Sequence, residues 1–241
     1  MFYKYFLLSL LVYNLSIAQQ TYIYKPSANI DYKSIKIGDV KELMRNVENE
    51  LIKFEFKLIV NGNESFFEKS ENLVNESKNI QVVSIAKAMS YANDNWFYDS
   101  EKSYLQLDTK FMNKAFSVKF DELPNWEIKN EKKTIGGYEV IKAVTTRKFI
   151  GSKGVKEKEI EAWFCPDISI SHGPMGAVGL PGLVIQLRLQ NTIYTLEQIK
   201  DETIKIEEPK SDEALSSEQF YLVIDRKVGY FRESINNYRG Q

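Results

Sequence analysis

Cys165, Asp167 and His172 sit close together in the chain and are the residue types of a nucleophilic triad: a thiol, an orienting carboxylate and a base. Cys165 and Asp167 would share a face of an extended segment. Pro166 and the Gly173-Pro174 turn lie among them, however, and triad members ordinarily converge from distant elements. Nothing nearby is positive enough to acidify the thiol, so Cys165 reads better as a small apolar residue at a strand end. Glu157, Glu159 and Glu161 alternate along the opposite face of a strand from Ile160, Ala162 and Phe164. A glycosidase needs two carboxylates brought together in a cleft, and alternation of this kind marks the wet face of a sheet. The chain carries no G-x-S-x-G elbow, H-E-x-x-H helix, phosphate loop or dinucleotide fingerprint. One histidine and one cysteine are too few for the usual zinc sites and for an internal disulfide. No cofactor and no metal are expected, and the residues favour a protein that is not an enzyme.

The elements that would position these groups are mostly strands. Phe54–Val60 alternates Phe54, Phe56, Leu58 and Val60 on one face. Asn61-Gly62 then suits a type I′ hairpin, and Ser65–Glu68 returns antiparallel. Further strands are expected at Asn95–Asp99, Tyr104–Leu107, Ala115–Phe120, Trp126–Asn130, Tyr138–Phe149, Glu157–Phe164, Leu183–Gln190 and Thr192–Lys200. They succeed one another without helical crossovers, which predicts antiparallel pairing. Asp39-x-x-Glu42 resembles a capping box ahead of Val40, Leu43, Met44, Val47 and Leu51, and predicts a helix. Ser216-x-x-Gln219 is a second such signal, opening a helix with a Phe220, Ile224, Val228, Phe231, Ile235 stripe. Asn79–Asn93 has helical length, but Val82-Val83-Ile85 favours a strand, and the segment fits both. The expected fold is α+β, mainly β: one strongly curved, half-barrel-like antiparallel sheet packed with two or three helices.

Gly179, Leu180, Pro181, Gly182 and Leu183 form the most distinctive motif. Pro181 fixes its own φ and extends Leu180. Gly182 follows in the order of a type II turn, where positive φ is required. The turn would aim Leu183, Ile185, Leu187 and Leu189 at one face, a structural role. A strand follows it and no lysine is near, so it is not a phosphate cradle.

The segment from Trp126 to Lys200 resembles the GLPGLI family of secreted Bacteroidetes proteins. The shared elements are Trp126-Glu127-Ile128, Ile135-Gly136-Gly137-Tyr138, Lys142-Ala143, Ala162-Trp163-Phe164, Ile168-Ser169-Ile170, Gly173-Pro174 and Gly179-Leu180-Pro181-Gly182-Leu183-Val184, in that order. Val184 stands where the family name has isoleucine. The resemblance implies an exported envelope protein of unknown biochemical role, with no catalytic residues to carry over.

The chain opens with one positive charge at Lys4, an apolar run from Tyr5 to Val12, and Ser16-Ile17-Ala18 at a cleavage position. That is the layout of a secretory leader over residues 1–18, too short to span a membrane. About 220 residues follow, enough to bury a full core. They read as a single α+β domain over 19–241 with a C-terminal helix at about 216–236. Lys and Arg total 32 against 33 Asp and Glu, so no basic excess points to nucleic acid. No later segment is long and apolar enough to cross a membrane. The resemblance to the GLPGLI family makes the periplasm the leading location, with an extracellular one as the alternative. The 14 Tyr, 14 Phe and 3 Trp include doublets such as Trp96-Phe97-Tyr98 and Trp163-Phe164, which would put large rings on both faces of a strand. They would form core or an apolar groove. The leading reading is therefore binding of a lipid, a peptide or an envelope protein partner without catalysis. The alternatives are a hydrolase with a dispersed Asp/Glu site and a structural subunit of an envelope assembly.

Overall fold

The computed structural model describes residues 20–71, 78–151, 154–202, 204–209 and 213–239. The segment 1–18, expected to be a leader, and the side chains of Phe231 and Ile235 lie outside the described residues. The strands are β1 (Gln20–Ala28), β2 (Phe56–Asn61), β3 (Glu64–Lys69), β4 (Asn95–Asp99), β5 (Tyr104–Phe111), β6 (Lys114–Phe120), β7 (Glu127–Ile135), β8 (Tyr138–Gly151), β9 (Gly154–Cys165), β10 (Leu183–Leu189), β11 (Thr192–Lys200) and β12 (Leu215–Ser216). Three α-helices accompany them among the described residues: α1 (Gly38–Leu51), α2 (Ile80–Met89) and α3 (Ser217–Arg239).

The expected α+β antiparallel half-barrel is not what forms. The protein is mostly β, with 47% strand and 21% helix, and its strands make one open sheet of mixed direction. The order is β12-β6-β5-β4-β3-β2-β1-β11-β10-β9-β8-β7. The reason for the mixed direction is local: the chain leaves β11 near the middle of the sheet and reaches one end of it at β12, where Leu215 and Ser216 pair parallel with Val118 and Lys119 of β6. β1 sits near the middle, between β2 and β11. It was not evident in the sequence because Thr21 to Tyr24 are all buried, which leaves no alternation to read.

The helices begin where side chains satisfy their free N–H groups. Asn79 caps α2, its Oδ1 accepting from the N–H groups of Gln81 and Val82. That cap decides the ambiguous segment for helix, with Val82, Val83 and Ala86 buried. Ser216 and Gln219 form a true capping box, bonded reciprocally at 3.0 and 3.2 Å. Asp39 and Glu42 do not. Helix α1 starts one residue earlier, at Gly38, with Ile37 at the cap position and no side-chain cap, so Asp39 already lies in the first turn. At the β2–β3 hairpin Asn61 pairs with Glu64, and only Gly62 in the loop has positive φ, at +59°. Glycine first of two loop residues is the pattern of a type II′ turn, not the expected I′.

The two arms of the sheet meet across α3. Phe220 packs on Phe116 of β6 with ring centres 5.4 Å apart, and the Tyr221 hydroxyl donates to the Lys148 carbonyl of β8 at 3.0 Å. Asp225 accepts the Val155 N–H of β9 at 3.0 Å. The neighbouring Gly154 has φ +102°, and a Cβ there would stand 2.3 Å from the Asp225 carboxylate. Both rows of the aromatic doublets are covered: Trp96, Phe97, Tyr98, Trp163 and Phe164 are all buried. Lys133 lies 3.9 Å over the Trp163 ring, so a lysine stem does part of the covering.

Candidate functional site

The connection from Pro166 to Gly182 starts at the surface and turns inward at His172. Residues 172–178 are buried throughout, including the single 3₁₀ turn Pro174–Gly176. Met175 and Gly176 both take left-handed backbone, with φ +55° and +67°. A Cβ on Gly176 would stand 2.4 Å from Trp96 of β4, so glycine is required by both conformation and space. The turn presents two carbonyls to Arg147 of β8. Arg147 donates from Nη1 to Met175 at 2.6 Å and from Nη2 to Gly176 at 3.3 Å, and its guanidinium lies 4.9 Å from the Trp96 ring centre. Trp126 holds the next stretch, its Nε1 donating to the Val178 carbonyl at 2.9 Å.

The distinctive motif ends this inward segment, and its turn differs from expectation. The Gly182 N–H donates to the Leu180 carbonyl at 2.8 Å, which centres a three-residue turn on Pro181. Leu183 N–H goes instead to the Ile168 carbonyl at 3.0 Å, so no type II turn closes here. Gly182 has φ +153°, and a Cβ would stand 2.2 Å from the Cys165 carbonyl oxygen. Gly179 has φ +87° and open space around it. A register shift between Val184 and Gln186 then puts Val184 opposite Phe164 and Leu187 opposite Ala162. Leu183 pairs with Cys165 and so lies on the other face from Leu187 and Leu189. Leu180, Gly182 and Leu183 of the motif are buried, whereas Gly179 and Pro181 are exposed.

The triad residues are not brought together. Cys165 is buried at the end of β9 and Asp167 is exposed. His172 is buried against Tyr98, with ring centres 5.5 Å apart, and its Nδ1 has no partner. Burial alone pushes its pKa down to about 4. The three glutamates also part company. Glu161 is half-buried, accepting from Trp163 Nε1 at 2.9 Å and from Arg188 at 2.7 Å. Burial opposes its charge, but these donors and Lys142 hold its pKa below the usual carboxylate range.

Arg147, Trp96, Lys148 and Tyr221 form the wall between two cavities. The larger, about 540 Å³, is rimmed by Glu122, Glu127, Glu157 and Glu159. All four are exposed, and Glu127 is paired with Lys129. A glycosidase acid needs burial to keep its proton, so this rim does not build the hydrolase site. The smaller cavity, about 330 Å³, is lined by Leu107, Phe111, Phe149, Met175, Leu189 and Phe220. Asp94 stands in its wall, accepting from Thr109 at 2.5 Å. Burial raises Asp94 to a pKa of about 6, against the pull of Thr109 and Arg147. Among the described residues no group of three or more His, Cys, Asp or Glu could hold a metal ion. Arg147 escaped the sequence reading because Thr145-Thr146-Arg147-Lys148 looks like a solvated strand. The available signal was its parity, shared with Ala143 and Phe149, both buried.

A family model described as a protein of unknown function (Porph_ging) matches residues 147–186, from Arg147 through the motif into β10. This match lies inside the segment that resembles the GLPGLI family, but it bears a different name. No curated protein matches the chain. Two structures of PNGF-II, in different space groups, are similar to 87% and 88% of this chain at 14% and 15% identity, both with a TM-score of 0.47. The chain spans only 33% and 34% of theirs.

Proposed function

We propose that this is an exported envelope protein of the GLPGLI kind that binds, without catalysis, a ligand with an apolar body in the smaller cavity. The observation that carries the reading is the wall of Leu107, Phe111, Phe149, Met175, Leu189 and Phe220 around about 330 Å³ between β5, β8, α2 and α3. Apolar concave sites with a few polar groups are where small ligands bind, and this volume lies at the low end of their range. Export rests on the leader-like residues 1–18, and the periplasm on the family resemblance. Assembly through a sheet edge is disfavoured, since β7 at one end of the sheet carries Lys129, Lys132 and Lys133 along the edge strand. Titration with an uncharged apolar fluorophore tests the reading. Saturable binding at one site per chain is expected, lost in Ala88→Trp, which places a ring at the exposed lip of the cavity on α2. Absence of saturable binding to the wild type would overturn it.

A further inference from the structure

The charges around the two cavities are opposite in sign. The larger has four glutamates on its rim against Arg147 and Lys148. The smaller has Lys87, Lys110, Arg147 and Lys148 against the single carboxylate of Asp94. Arg147 is half-buried, and among the described residues no carboxylate lies within 4.0 Å of it. Its two hydrogen bonds go to neutral carbonyls, which leaves three of its five N–H groups for another acceptor. On the same wall, the buried Nε1 of Trp96 has no acceptor among the described residues. A buried donor without an acceptor is costly, and the one carboxylate of this lining, Asp94, attracts Arg147 without bonding to it.

We infer that the smaller cavity takes a single-chain amphiphile with a carboxylate head, its chain among Phe111, Phe149 and Leu189 and its head at Arg147, with the exposed Lys110 elsewhere on the lining adding to the positive field. The inference rests on the proposed binding function and adds the chemistry of the head group. A carboxylate accepts from a planar guanidinium in paired bonds, and such charge-assisted bonds are the strong ones. The volume suits one chain better than a two-chain lipid.

The test is calorimetric titration of the protein with dodecanoate, 1-dodecanol and dodecylamine, the ionic ligands below their micelle concentrations and the alcohol below its solubility limit. Dodecanoate is expected to bind at least about ten-fold more tightly than the alcohol, the equivalent of one charge-assisted hydrogen bond. Dodecylamine is expected to bind weakest. Arg147→Gln should abolish the preference for the acid, and Lys110→Glu, at an exposed position, should reduce it. If Arg147→Gln does not fold, Lys110→Glu decides. Equal binding of acid and alcohol would leave the apolar cavity standing and overturn the anionic head. Tighter binding of the amine, or an acid preference unaffected by the variants, would overturn it too. If none of the three binds, the proposed function itself fails.

Discussion

The Arg147 guanidinium lies 4.9 Å from the centre of the Trp96 ring while its two Nη groups hold the carbonyls of Met175 and Gly176. One side chain thus ties β8 to β4 and to the buried connection between them. Lysine has the charge but not the fork, and cannot reach both carbonyls in one plane. Arg147→Lys is expected to lower stability by about 1–3 kcal/mol, the usual cost of an unsatisfied buried polar group. Chemical denaturation of both forms checks this, and equal midpoints would mean that the clamp contributes nothing.

Gly182 and Gly179 should behave differently although both belong to the same motif. At Gly182 any Cβ meets the backbone of Cys165, which has no flexible end to swing away. Alanine, asparagine and valine should therefore all be strongly destabilising there, whatever their tolerance of positive φ. At Gly179 the space is open and only the left-handed φ resists substitution, so Gly179→Ala should cost about 1–2 kcal/mol. Exported yield and thermal midpoint of the four variants compare the two sites. Retention of wild-type stability by Gly182→Asn would show that conformation, not contact, sets the requirement.

His172 and Asp94 should drive stability in opposite directions with pH. The folded state holds His172 at about 4, below its ordinary 6.5, so only the unfolded chain takes up that proton between these values. Its contribution is present above pH 6.5 and lost as pH falls towards 4. Asp94 is raised from 3.8 to about 6, so the folded state takes up its proton first and gains stability as pH falls through 6. His172→Phe should flatten the acid loss and, by removing the unpartnered Nδ1, leave stability at neutral pH little changed. Asp94→Asn should remove the opposing gain, so that the loss on acidification steepens. Denaturation midpoints at pH 7.5, 5.5 and 4.5 decide; parallel curves for all three proteins would contradict both assignments.

What was legible in the sequence was what local chemistry decides. The capping box at Ser216 and Gln219 is closed by residues three apart, and the strands from Tyr104 onward announce themselves by length and composition. What failed depends on distant contacts. The turn at Pro181 looked like type II because the acceptor that takes the Leu183 N–H, the Ile168 carbonyl, lies fifteen residues back and outside the turn. The register shift at Val184 moved Leu183 to the other face, and no pattern in β10 alone could show that. The mixed sheet follows from a two-residue strand, β12, too short to leave any periodicity. The site followed the same rule. Arg147 gains its role from Trp96, Met175 and Gly176, all at least 28 residues away, whereas the neighbouring Cys165, Asp167 and His172 drew the eye by proximity in the chain.

Native mass spectrometry of the protein isolated from the cells that make it tests the central claim most directly. The account predicts one small apolar-bodied molecule per wild-type chain, absent from Ala88→Trp, and released on collision as a single-chain species. Wild-type protein that carries no such molecule, or an identical adduct on both forms, would contradict it.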